Sequence, residues 1–130
     1  MFELTINEKV YQFNFGFGFM REIDPKITKK IEDINGKVQN MGLQFAIAGI
    51  LDGDVYELVN VLEAANKGYE PRITCKEIEE FIENGNTDLD TLFEKVLDFL
   101  KTANCTKKTV ANLEKAIENE KAKAEQSKQN

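Results

Sequence analysis

The sequence predicts an α+β fold, mainly α: an N-terminal β-hairpin, then about five to six helices, forming one compact domain with a polar C-terminal tail. Three observations carry that reading. Between Phe2 and Phe15 apolar and polar residues alternate, the period of a strand with one covered face. From Phe19 onward the apolar spacing changes to three or four residues, the period of a helix face. After Ile117 no large apolar residue remains. The chain has 130 residues, of which 42% are hydrophobic, enough for a single core. Residues 1–117 are therefore assigned to the domain and 118–130 to a tail expected to fray or be disordered.

In chain order, Phe2, Leu4 and Ile6 alternate with Glu3 and Thr5, and after Asn7-Glu8-Lys9 a β-branched and aromatic stretch begins at Val10. Two such runs around a polar turn predict a hairpin. In its second strand Tyr11, Phe13 and Phe15 share a face that needs cover. Gly16 and Gly18 stand where the period changes, so they are read as a bend from strand to helix. A phosphate-cradling glycine loop is rejected, because Phe19-Met20-Arg21 follows where a third glycine or a Walker-type continuation is needed. Phe19, Ile23, Ile27, Ile31 and Ile34 then predict a helix face, with Asp24-Pro25 capping and restarting the helix and Asn35-Gly36 stopping it.

Met41 to Leu51 is nearly all apolar, which fits a central core helix buried on most sides or a helix with a face kept for a partner. Asp52-Gly53-Asp54 lacks the register of a calcium loop, and Asp54 is assigned as N-cap of a helix through Val55, Leu58, Val59, Leu62 and Ala65 that closes at Lys67-Gly68. Pro71, Arg72 and Ile73 form a short linker. Thr74-Cys75-Lys76-Glu77 fits a capping box for a helix bearing Ile78, Phe81 and Ile82. Thr87 begins the clearest amphipathic helix, through Leu89, Leu92, Phe93, Val96, Leu97 and Leu100. Thr106 is expected to cap a last helix through Val110, Leu113 and Ile117.

The residue inventory narrows the chemistry. The chain has no His, and its only Ser is Ser127, so Ser-His-Asp, Cys-His and His-containing zinc sites are excluded. Cys75 and Cys105 are too few for a four-cysteine site and are expected to be free thiols. The carboxylates read as solvated surface charge, with no catalytic pair among them, and no cofactor or metal is implied. A formal charge of -6 opposes nucleic acid and anionic membranes, and no apolar run is long enough to span a bilayer. Met1-Phe2-Glu3-Leu4 lacks the basic start of a signal peptide, which suggests a cytosolic chain. From Glu114 to the end four Glu balance four Lys, so the acidity lies before the tail.

Three segments, taken in order and spacing, carry a resemblance: "FELTINEKVYQFNFGFGFMREID", "NMGLQFAIAGILDGDVYELVNVLEAA", and "ITCKEIEEFIEN" followed by "DLDTLFEKVLDFLKTANCTKKTV". From about Phe2 to Val110 the chain resembles the phage tail assembly chaperones of long-tailed (siphovirus-type) phages and prophages of Gram-positive bacteria. That resemblance implies a non-virion protein of the bacterial host cytoplasm. It would bind the long helical tape measure protein, keep it soluble, and help recruit major tail tube subunits before being lost. It also implies no enzymatic activity, and in such families a ribosomal frameshift often appends a longer C-terminal extension. A client with exposed apolar helix faces calls for apolar surface on its chaperone. Phe17, Phe19, Met41, Leu43 and Phe45 are the residues expected to supply it, since they lie in stretches richer than a hairpin face requires. Self-association along a long client is also expected. The alternative from another class is a small non-enzymatic oligomerising scaffold or regulatory protein. An enzyme would need a metal or cofactor held by carboxylates alone.

Overall fold

The computed structural model describes residues 2–30, 37–85 and 87–128. Strand β1 (Phe2–Ile6) pairs antiparallel with β2 (Lys9–Phe13), with Phe2 opposite Phe13 and Ile6 opposite Lys9. The two-residue loop puts Asn7 at φ 52° and Glu8 at φ 66°, the left-handed pair that matches the twist of a tight hairpin. Alternation places Phe2, Ile6, Tyr11 and Phe13 in the core while Glu3 and Thr5 face solvent. The Phe2 ring centroid lies 5.4 Å from that of Phe13 and 5.0 Å from that of Phe99.

Helix α1 (Phe17–Ile23) follows, with Gly16 as its N-cap. The bend is where the period changed, but its glycines are not there for a left-handed backbone: Gly16 has φ -98°, and Gly18 lies within the helix. The expected helix face from Phe19 to Ile34 is corrected. The helix stops at Ile23, a 3-10 turn takes Asp24–Lys26, and β3 (Thr28–Lys30) pairs antiparallel with β4 (Val38–Asn40). Pro25 lacks the N–H that a continuing helix needs, and Ile27 and Thr28 are β-branched residues that suit extended backbone. Ile31, Ile34 and the Asn35-Gly36 stop lie outside the described residues.

Five helices complete the fold: α2 (Gly42–Leu51), α3 (Val55–Asn66), α4 (Cys75–Glu83), α5 (Leu89–Thr102) and α6 (Lys107–Lys128). Helix α3 is central, burying Leu58, Val59, Val61, Leu62, Ala64 and Ala65 and packing against α1, α2, α4 and β2. Asp54 caps it by accepting from the N–H of Tyr56 at 3.0 Å. The capping box of α4 forms as expected, with Thr74 Oγ1 accepting from the Glu77 N–H and the Glu77 carboxylate accepting from the Thr74 N–H. Helix α5 starts at Leu89, with Asp88 rather than Thr87 as its N-cap, and buries Leu92, Val96 and Leu100. Thr106 precedes α6 as expected, its carbonyl accepting from the Val110 N–H at 3.1 Å, while its buried hydroxyl donates to the Leu100 carbonyl at 2.6 Å, satisfying one of the free carbonyls at the end of α5. Residues 118–128 continue α6 as helix, exposed up to Glu125.

One polar knot holds the hairpin to the helices. Asn66 is fully buried at the end of α3; its Nδ2 donates to the carbonyls of Gln12 (2.9 Å) and Pro71 (3.2 Å). Its Oδ1 accepts from the Ile73 N–H and from Arg72 Nη1, both at 2.7 Å. Arg72 also pairs with the Glu63 carboxylate.

Candidate functional site

The site begins with how α2 is seated. Gly42 lies so close to the end of α1 that a Cβ there would fall 1.8 Å from the Ile23 carbonyl oxygen. The Leu43 N–H, one of the unpaired donors of the first turn, reaches Asp24 Oδ1 at 3.3 Å. Asp24 thus serves the start of α2 from across the β3–β4 hairpin. Pinned in this way, α2 buries Gly42, Leu43, Ala46, Ile47 and Ile50.

Its other face carries Met41, Phe45, Ala48 and Asp52, spaced by four, three and four residues and so aligned along one side. Phe45 is 53% exposed and Met41 is half-buried. Helix α6 runs beside this face, and its stripe of Val110, Leu113 and Ile117 passes from buried through half-buried to exposed. Between the two helices lies a groove of about 570 Å³, lined by Phe45, Ala48, Gly49, Leu51 and Ile117, with Gly49 packed close against the Glu57 side chain of α3. Asp52 and Lys121, of opposite charge, complete its lining. An apolar trough between two helices suits a guest helix, whose side chains pack between two ridges.

The five residues expected to form the apolar surface separate by depth. Phe17 is 70% exposed on α1, with the Arg21 guanidinium 6.0 Å from its ring centroid. Phe45 is exposed in the groove wall, and Met41 lies one helical turn from it. Phe19 and Leu43 are buried, Phe19 packing edge-on against Phe15 at 5.1 Å between centroids. Met41 and Phe45 are thereby brought together, Phe17 stands apart from the groove lining, and Phe19 and Leu43 belong to the core, outside that lining. Ile117 belongs to the site without having been singled out. Its signal was the last apolar position on α6, where a stripe outlasts the core that it covers.

The ionisable groups add little chemistry here. Among the described residues no three His, Cys, Asp or Glu side chains gather as a metal-holding group. The clearest perturbed pair, Tyr11 and Glu77, ties β2 to α4 through a 3.0 Å hydrogen bond. Hydrogen bonds from Thr74 and Tyr11 hold the Glu77 carboxyl below its usual range, and burial, with the carboxylate beside it, raises the Tyr11 phenol. Cys75 is exposed and Cys105 half-buried, both as free thiols. No helix among the described residues is long and apolar enough to cross a membrane.

A family model described as phage tail assembly chaperone protein, TAC, matches residues 3–115, from the hairpin into α6. No curated protein and no solved structure matches the chain significantly.

Proposed function

The chain belongs to the phage tail assembly chaperone family, and we propose that it binds the tape measure protein and keeps that long helical chain soluble while the tail is assembled. The observation that carries this reading is the α2–α6 groove, where Phe45 and Ile117 leave apolar surface uncovered. An amphipathic client helix would lay its own apolar face there, read at spacings of three and four residues. Phe17, exposed on α1, and Met41, beside Phe45, would widen the contact. Covering a client needs apolar area and no turnover, so the role is that of a binding protein, without cofactor or catalysis.

The same reading has the protein recruit major tail tube subunits around the covered client, act in the bacterial host cytoplasm, and be absent from the finished virion. Several copies would sit along one client, with weak self-association between them. The test is co-expression with the tape measure protein encoded in the same genome. The expected result is a rise in soluble client that co-purifies with the chaperone. An equally insoluble client, with none recovered on the chaperone, would overturn the reading.

A further inference from the structure

A second groove, of about 410 Å³, runs between α3 and α4 and is separate from the one between α2 and α6. Val59 is buried in its floor, Val55 and Ile82 are half-buried in its walls, and Tyr56 stands 80% exposed beside it. Glu79 and Glu83 form the rest of its lining. They lie four residues apart on α4 and so on the same side of that helix, and both are exposed. Neither forms an ion pair among the described residues, and the lining contains no Lys or Arg. Every charge in this groove is therefore negative, whereas the α2–α6 groove carries one charge of each sign.

An apolar trough beside two unneutralised carboxylates selects its occupant by charge. Like charges one turn apart repel, and a cation placed over both relieves that repulsion. The face of an exposed tyrosine attracts cations as well. We propose that the α3–α4 groove docks an amphipathic helix of a client tail protein whose apolar anchors are flanked by Lys or Arg. The proposal rests on the chaperone reading and names the chemistry of a second client segment. Val55, Val59 and Ile82 take the anchors, Glu79 and Glu83 take the cations, and Tyr56 covers one side.

The test uses the full chain and two synthetic helical peptides of about 18 residues, long enough to hold a helix once docked. Both carry Leu at positions i, i+3, i+4 and i+7. One has Lys at the flanking positions and the other has Glu. Binding is followed by fluorescence anisotropy. The basic peptide is expected to bind at least about tenfold more tightly than the acidic one, a gap of roughly 1.4 kcal/mol, and to weaken at high ionic strength. Glu79→Lys with Glu83→Lys is expected to remove most of that gap, and Glu79→Gln with Glu83→Gln to give an intermediate value, while Glu94→Lys with Asp98→Lys, the same charge change on an exposed side of α5 outside both grooves, leaves most of the gap intact. Circular dichroism melts confirm that each variant is folded.

Equal binding of the two peptides, no binding of either, or a preference reduced as much by the Glu94 and Asp98 changes as by the Glu79 and Glu83 changes would overturn the proposal. So would a dimer of the free chain that Tyr56→Ala dissociates, since a second copy would then own the groove. Co-purification of the tape measure protein, measured on the same preparations, separates the two claims. Client retained with no basic-peptide preference sinks this inference alone, and peptide preference with no client retained sinks the chaperone reading alone.

Discussion

At the scale of single residues, depth decides what each side chain does. Phe45 and Phe19 are the same residue in equally apolar stretches, yet one is 53% exposed and the other 2%. Phe19→Ala is a core truncation, while Phe45→Asp exchanges groove wall for solvent and should cost within about 1 kcal/mol of stability. Gly42 is limited by backbone rather than by conformation. A methyl group there meets the Ile23 and Asp24 carbonyl oxygens, which cannot rotate away as a side chain can. Gly42→Ala is expected to lower stability by roughly 1–3 kcal/mol, seen as a fall in thermal midpoint, because α2 must move off α1. Asn66 is the other position without slack. Asn66→Ala would strand the Gln12 and Pro71 carbonyls and the Ile73 N–H, so a loss of about 2–4 kcal/mol is expected in a denaturant titration. A loss below about 0.5 kcal/mol would mean that water replaces the amide at little cost.

At the scale of elements, the tie between β2 and α4 makes stability depend on pH. The Glu77 carboxyl is held below its ordinary 4.5, so its contribution is full above that value and fades as pH falls through the folded-state value below it. The Tyr11 phenol is raised above its ordinary 10.0, so its contribution is full below that value and is lost as pH rises through the folded-state value above it. The coupling between Tyr11→Phe and Glu77→Gln in a double-mutant cycle should therefore be present at about pH 7 and shrink well below pH 4.5. A coupling unchanged in acid would show that the carboxylate charge has no part in the tie.

The elements also differ in how far the sequence announced them. The first hairpin, the α4 capping box and the α5 stripe were legible because each depends on neighbours within a few positions, as Thr74 and Glu77 do. The run from Ile23 to Ile34 misled because isoleucines spaced by four imitate a helix face, while Pro25 and the β-branched pair Ile27-Thr28 favour a turn and a strand. Thr106 announced the start of α6 but not the partner of its hydroxyl: a hydroxyl before a helix can accept from its first turn or donate to the helix before, and here the carbonyl of Leu100 takes it. Within the candidate site, Met41 to Leu51 announced an apolar helix, but which side faces outward depends on Gly42 docking against α1, a contact between distant segments. The exposure of Tyr56 was partly legible, since Val55, Leu58, Val59 and Leu62 mark a stripe that excludes it.

At the scale of the whole molecule, a single core centred on α3 supports two apolar grooves, one beside α2 and one beside α4. Helix α6 helps to build the first with Ile117 and continues through Lys128, so its 22 residues span about 33 Å. The family match ends at residue 115, just before that wall residue, so the groove joins the shared part of the chain to its more polar end. The most direct test is the amount of tape measure protein that co-purifies with the wild-type chain and with the Phe45→Asp, Ile117→Asp double variant, after thermal melts show both to be folded. The wild type should retain the client and the double variant should lose most of it; a folded double variant that retains as much client as the wild type would contradict the assignment of the α2–α6 groove.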